Sequence, residues 1–539
     1  MRRRGTNSCA GAWRVAARLG CMAAILGANT STFAAEPNPL PQLNPFETDA
    51  LCTPRNVVDE LVERRLRELG LKPAKLCSDA VFVRRVFLET TGTLPTAPEA
   101  AAFIQSRDPD KRRALIDRLL EREEFADYQA MRWSDALRIK AEFPINLWPN
   151  AAQTYHRWVR AALRDNMPYD AFARELLTAS GSNFRVPPVN FWRATQNREP
   201  VGLAQTVALT FMGTRAERWP SNKLAGLAAF FSQVGYKSTG EWKEEIVFWN
   251  PAASNAAPSG VLPNGKTVVF DGQRDPRALF ADWLVDPKNP WFTRAVVNRI
   301  WAWLFGRGIV HEPDDLRPDN PPSHPDLLAR LEVELIAARY DLKQLYRLIL
   351  NSQTWQRSCI PTSNDPRAEI HFAHYPLRRL DAEVLIDAIC RLTGSGEKYT
   401  SAIPEPFTVM PADQRAVALP DGSVTSPFLE LFGRPPRDTG LFAERNNRIT
   451  AAQRLHLLNS SHIQRKLEDS PLVRNLGRSG QSPREIIQGV YLAILSRYPT
   501  DAELKTVAEH FRAGAGRSRE AALDLAWALL NSPEFLFQH

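Results

Sequence analysis

The sequence predicts a mostly α-helical protein: a multi-helix, two-domain architecture with a few short strands and a C-terminal helical subdomain. Three observations carry that expectation. Apolar residues recur at three- and four-residue spacing along most of the 539 residues. Helix-start signatures stand directly ahead of those runs. Strand-like runs are short and scattered. A chain of this length exceeds what one hydrophobic core usually serves, so more than one domain is expected.

Residues 1–35 read as a secretory signal peptide. Arg2, Arg3, Arg4, Arg14 and Arg18 form a basic opening with no acidic residue, the apolar stretch Leu19 to Ala28 follows, and Phe33-Ala34-Ala35 supplies small residues for cleavage. The apolar stretch is too short for a transmembrane helix. The expectation is therefore an exported protein, periplasmic, cell-surface or secreted, with no transmembrane segment after cleavage. Residues 36–54 are proline-rich and irregular.

From 55 to about 250 a first helical domain is expected. Val57, Val58, Leu61, Val62, Leu66 and Leu69 share one helical face, and Gly70 ends the run. Thr96-Ala97-Pro98-Glu99 is a capping box, and Asp108-Pro109 reads as the next helix start. Further periodic stretches cover 125–140, 150–165, 169–178 and 198–212, with a strand at Ile246–Trp249. Residues 251–275 read as a linker holding one hairpin-like turn, Pro263-Asn264-Gly265.

Asp275-Pro276 opens a second helical domain, 276–480. Phe292, Val296, Val297, Ile300, Trp301 and Leu304 form one apolar face; Leu342, Leu345, Tyr346 and Ile349 form another. The C-terminal subdomain, 481–539, starts with the capping box Ser482-Pro483-Arg484-Glu485, and a last helix spans 518–530.

Formal charge is +8, from 68 basic and 60 acidic residues. Without the five signal arginines it is 63 against 60, or +3. No Lys/Arg-rich block follows Arg18, so the concentrated basic face of a nucleic-acid binder is missing. Four cysteines remain after cleavage: Cys52, Cys77, Cys359 and Cys390. In an oxidising compartment a Cys52–Cys77 disulfide across the first helix and buried free thiols are both open readings. The spacings match no zinc pattern.

Two long motifs bring a family resemblance. Phe82-Val83-Arg84-Arg85-Val86-Phe87-Leu88-Glu89-Thr90-Thr91-Gly92 resembles the opening of the planctomycete cytochrome-associated domain. Asn298-Arg299-Ile300-Trp301-Ala302-Trp303-Leu304-Phe305-Gly306-Arg307-Gly308 resembles the core of the planctomycete-specific domain that follows it in such exported proteins. Arg378-Arg379-Leu380-Asp381-Ala382-Glu383 and Leu457-Leu458-Asn459-Ser460 add to the likeness. The resemblance implies export, a family with no established general activity, and the company of exported sulfatase-like or glycan-degrading proteins; anionic polysaccharide is expected as a further partner. Many members carry Cys-x-x-Cys-His between a Phe-Leu-Gly and an Ala-Phe-Phe segment. Here Phe211-Met212-Gly213 and Ala229-Phe230-Phe231 flank a stretch with neither cysteine nor histidine. Covalent haem needs two thiols and a neighbouring imidazole, so no c-type haem is expected.

Two polar clusters are candidates for chemistry. In the first, Asp314, Asp315, Arg317, Asp319 and Asn320 lie among prolines. They read as turn and capping residues or as a carboxylate site. In the second, Arg434, Arg437, Glu444, Arg445 and His456 follow a Gly/Pro-rich loop. Its arginines read as internal clamps or as forks for carboxylate and sulfate. Convergence of both clusters on one cavity would decide for a site. His371, His374, His456 and His462 sit among aromatics and Pro376, which favours packing over a metal. Nucleophile-elbow, HExxH, P-loop and dinucleotide-binding patterns are missing. Trp301 reads as core, whereas Trp303 is open. The leading expectation is a binding or assembly partner of extracytoplasmic glycan-degrading machinery. The alternatives are a hydrolase using Asp314, Asp315 or Asp319 with Arg434, Arg437 and His456, and, disfavoured, a redox protein.

Overall fold

The computed structural model describes residues 44–49, 53–476, 482–513 and 518–539. The signal-peptide segment, Cys52 and the Gly-rich stretch 477–480 lie outside them, so the Cys52–Cys77 pairing does too; Cys359 and Cys390 are free thiols. The protein is helical throughout, with short strands in small sheets. No helix of the described residues is long and apolar enough to cross a membrane.

The local signals act where they stand in the sequence. The helix Val57–Glu68 is capped by Asn56, whose side chain accepts from Val58 and Asp59 N–H. Reciprocal capping boxes open Ala97–Gln105 and Pro483–Leu495, and Asp275 caps Pro276–Leu284. One start is displaced. The helix expected at Asp108-Pro109 runs Lys111–Leu120, because Asp108 turns its carboxylate onto Asp110 N at 2.8 Å and closes a turn first. The strand Glu245–Trp249 is central in a three-stranded antiparallel sheet between Gly181–Ser182 and Val234–Ser238.

Two apolar cores organise these helices. The larger runs from Val58 to Tyr375, so helices before residue 250 and those between 276 and 350 share one interior. The smaller gathers Leu380 to Phe535 and takes Leu88, Leu94, Tyr128 and Met131 from the first helices. Asp59, fully buried, accepts from Gln353 N at 3.0 Å and Thr354 N at 2.8 Å, joining the first helix to a turn almost three hundred residues on.

The helix Asp79–Thr91 is buried on nearly every side, yet it carries Arg84 and Arg85. Both serve carbonyls that the fold would otherwise leave dry and unpaired. Arg84 donates to Ile494 O at 2.8 Å and Phe535 O at 2.9 Å. Arg85 donates to His539 O, Trp355 O and Arg357 O at 2.7–2.9 Å, with its guanidinium 3.8 Å from the Tyr375 ring centroid. Burial lowers the Arg84 pKa to about 10, which leaves it charged at neutral pH. The last residues return to the middle of the chain: Phe537–Gln538 pairs antiparallel with Arg378–Arg379.

Arg85→Met should strand three buried carbonyls and cost about 3 kcal/mol or more. Arg85→Lys should recover only part, since one ammonium cannot span the fork's partners. Urea denaturation of the two variants beside the parent checks both.

Candidate functional site

Both polar clusters meet at one cavity of about 230 Å³, set where the two cores adjoin. At ~30 Å³ per water that is room for roughly seven waters, or for one small polar group. Two helices supply its walls by the same spacing. Glu123–Ala136 presents Arg132, Asp135 and Ala136, and Phe292–Phe305 presents Arg299, Ala302 and Trp303, each at i, i+3, i+4. Asp314 enters from the 311–320 loop, Arg378 and Asp381 from the short strand and the turn after it, and Phe442, Arg445 and Asn447 from the 433–447 loop.

Two glycines let that last loop approach. Gly433 has φ +80°, and a Cβ there would sit 1.9 Å from Asn446 O, the carbonyl of the residue that closes the loop through Asn446 N→Gly433 O at 3.0 Å. Gly440 has φ +76°, and its Cβ would fall 2.9 Å from Ala136 O and 2.7 Å from Arg138 Nη1. The loop therefore lies directly on the C-terminal end of the Glu123–Ala136 helix.

The charged residues form one network. Arg445 is its centre: it reaches Asp135 at 2.7 Å, Glu383 at 2.7 Å and Asp381 at 3.8 Å. Asp135 also takes Arg437 Nε at 2.9 Å, and Arg132 reaches Asp381 at 3.4 Å. Asn447 donates to Asp381 at 2.7 Å. Burial would raise the Asp381 carboxyl, but Arg445 and Arg132 hold it well below the ordinary carboxylate range. Glu383 is depressed in the same way, its burial outweighed by Arg445. Asp135, Glu383 and Asp381 keep Arg445 protonated against its own burial.

Two further arginines cap helix ends with their charge. Arg299 donates to Thr210 O at 2.7 Å and Leu209 O at 3.2 Å, at the end of the Pro200–Met212 helix. Arg378 donates to Trp303 O at 2.9 Å, at the end of Phe292–Phe305, and pairs with Glu89. Cations at a helix C-terminus answer both the unpaired carbonyls and the dipole. Arg132 keeps a buried Nε with no partner.

The sequence-derived residues divide. Asp314 lines the cavity, pairing with Arg299 at 3.3 Å and accepting Phe442 N at 2.5 Å; Arg445 lines it as well. Arg434 and Arg437 stand behind the wall as clamps, Arg434 on Asp421 O and Glu383, Arg437 on Asp135. Glu444 holds its own loop, accepting from Asp438 N at 2.8 Å. Asp315 turns away to Arg218 at 3.2 Å, Asp319 pairs with Arg317 at 3.0 Å, and Asn320 staples the loop through His311 O and Asp315 O. His456 is elsewhere, 3.3 Å from His462, which pairs with Glu397 at 2.9 Å. No group of three or more His, Cys, Asp or Glu side chains among the described residues is arranged to hold a metal. Sequence reasoning missed Arg132, Asp135, Arg299, Arg378 and Asp381 as site residues. Arg132 and Asp135 share one helix, Arg299 stands among apolar residues in another, and Arg378 and Asp381 lie on a short strand and the turn after it, so spacing along the chain did not bring them together.

Family models match two stretches of the chain. Residues 57–219 match PSCyt2, a protein of unknown function (DUF1549), and residues 276–511 match PSD1, a protein of unknown function (DUF1553). The chain carries this two-domain arrangement, PSCyt2 followed by PSD1. No curated protein and no solved structure matches.

Removing Asp135 leaves Arg437 and Arg445 buried without that partner. Asp135→Asn should therefore destabilise by about 3–5 kcal/mol, while Asp319→Asn, at the exposed loop tip, should leave the urea midpoint where it is. A second expectation concerns acid. Burial, reinforced by Arg437, lowers the His156 pKa to about 3, against roughly 6.5 in an unfolded chain. The unfolded state then binds the extra proton, so stability is full above pH 6.5 and is lost as pH falls toward 3, by about 1.4 kcal/mol per unit. Between pH 7 and pH 5 the parent should lose about 2 kcal/mol more than His156→Leu. Urea titrations at the two pH values measure this.

Proposed function

We propose that the chain is an exported binding protein that holds a sulfate or carboxylate group, of the kind an anionic polysaccharide carries, in the cavity framed by Arg132, Arg299, Arg378 and Arg445. One observation carries the reading: segments more than a hundred residues apart converge on a cavity lined by four arginines and three aspartates, Asp135, Asp314 and Asp381. Each of the four guanidinium groups also has a carboxylate partner in this structure, so an anion would share them rather than meet a free charge; planar guanidinium forks suit sulfate and carboxylate. Trp303 and Phe442 supply apolar wall for a sugar ring or its substituent.

The arrangement favours binding over hydrolysis. Of the acids considered for hydrolysis only Asp314 reaches the cavity, where it is engaged by Phe442 N, and His456 stands apart with His462. Asp381 is held ionised and offers no proton. In this reading the protein works beside exported sulfatase-like or glycan-degrading proteins. It holds no covalently attached haem, because the stretch between Met212 and Ala229 offers neither thiol nor imidazole.

Calorimetric titration of the full chain with galacturonate, inorganic sulfate and neutral galactose tests the proposal. Both anions should bind with Kd in the ~1 μM to ~1 mM range and galactose should not. Ala136→Leu, a buried wall residue whose larger side chain would intrude on the cavity, should weaken both anions at least ten-fold while the circular-dichroism spectrum stays helical. Equal affinity for galactose, or anion binding untouched by Ala136→Leu, would contradict it.

A further inference from the structure

Three aromatic rings from distant parts of the chain meet at the surface. Trp148 precedes the Pro149–Arg164 helix, Trp242 sits in the turn between Val234–Ser238 and Glu245–Trp249, and Phe407 belongs to a loop of the second half. The tryptophan centroids are 4.7 Å apart, edge to face, and Phe407 lies 5.5 Å from Trp148 and 5.3 Å from Trp242. Trp242 is 60 % exposed and Phe407 38 % exposed. Large aromatics clustered in water rather than in a core mark a contact surface.

The backbone beneath them is held in an unfavourable conformation. Trp148 has φ +73° and Lys243 φ +61°, the left-handed region that side-chain-bearing residues avoid. Neighbours enforce it. Trp148 N donates to Ala141 O at 3.1 Å, and its carbonyl accepts Ala152 N at 2.9 Å. Lys243 O accepts the buried Asn183 amide at 3.2 Å, and Glu244 accepts the Ser182 and Thr239 hydroxyls at 2.5 and 2.7 Å. Glu142 accepts from Ser401 Oγ and Ala402 N, both at 3.0 Å, fastening the two loops together. The rings are thus mounted rigidly before any partner arrives.

We propose that this trio is a surface site for a pyranose ring of a glycan chain bearing anionic substituents. The proposal goes beyond the cavity reading and does not rest on it, since none of the three rings lines the cavity. The C–H face of a pyranose is apolar and flat and can stack on one exposed ring, Trp242, which the inclined rings of Trp148 and Phe407 buttress at 76° and 53°. Lys243 Nζ lies over both tryptophan rings, 5.1 Å from the Trp148 centroid and 5.7 Å from that of Trp242, an exposed cation beside the rings for a sulfate or carboxylate on the sugar. Trp242 and Phe407 are the exposed members of the trio, and a single exposed tryptophan is enough to cover one sugar ring.

Affinity electrophoresis of the full chain in native gels containing carrageenan, polygalacturonate or neutral hydroxyethylcellulose tests this, with sedimentation in parallel. The parent should be retarded, most strongly by the two anionic polymers. Trp242→Ala should cut affinity at least ten-fold in every retarding gel, Trp242→Phe should retain most of it, and Lys243→Gln should weaken only the anionic gels, about three-fold. Both sites are exposed, so circular dichroism and thermal midpoint should not change. Retardation in none of the gels, retardation unaltered in Trp242→Ala, or no effect of Lys243→Gln on the anionic gels would overturn the proposal. So would a concentration-dependent dimer that Trp242→Ala abolishes, which would reassign the face to a second copy of the chain.

Discussion

The salt-bridged contact between Asp135 and Arg445 is the constraint on which the rest of the site depends. Arg445 lies on a glycine-hinged loop of the second half, and Asp135 ends a helix of the first. Their contact seats the loop against the helix, and the same guanidinium then orders Glu383 and Asp381. A buried ion pair is weak evidence of net stability, since desolvation consumes much of the attraction. Its effect is on geometry: this placement of the loop satisfies Arg445, Arg437 and three carboxylates together. The cavity is the space this arrangement leaves.

A second theme is how this helical protein deals with helix ends. Many of its helices terminate inside the molecule, where the last carbonyls meet no water. Arg84, Arg299 and Arg378 enter that problem as multi-donor forks, each serving carbonyls at the end of another helix, while Arg85 serves carbonyls outside helices. Lysine could not serve two or three carbonyls in one plane. The long arginine-bearing motifs are therefore intelligible as packing chemistry. Their guanidinium groups turn up at the cavity partly because helix ends converge there.

The sequence disclosed helices more readily than sites, for a physical reason. Periodicity and capping are local, so Thr96 with Glu99, Ser482 with Glu485 and Asp275 with Pro276 could be read directly. Asp108-Pro109 misled because an aspartate can close a turn as easily as it caps a helix. The polar loops at 311–320 and 433–447 were visible as clusters, but most of their members are spent on the loops themselves: Glu444 on 438–440, Asn320 on 311 and 315. Arg132 and Asp381 were not legible as a pair because 249 positions separate them. Trp303, undecided from spacing, lines the cavity at 6 % exposure, while Trp301, two residues earlier and on the far side of the helix, is wholly core.

A double-mutant cycle in urea denaturation, with Asp135→Leu, Arg445→Met and both together, examines that central contact most directly. If the pair seats the loop, the two changes should be strongly non-additive, with a coupling of about 1.5 kcal/mol or more. Single effects that sum to within ~0.5 kcal/mol of the double variant would mean that the loop is held by something else.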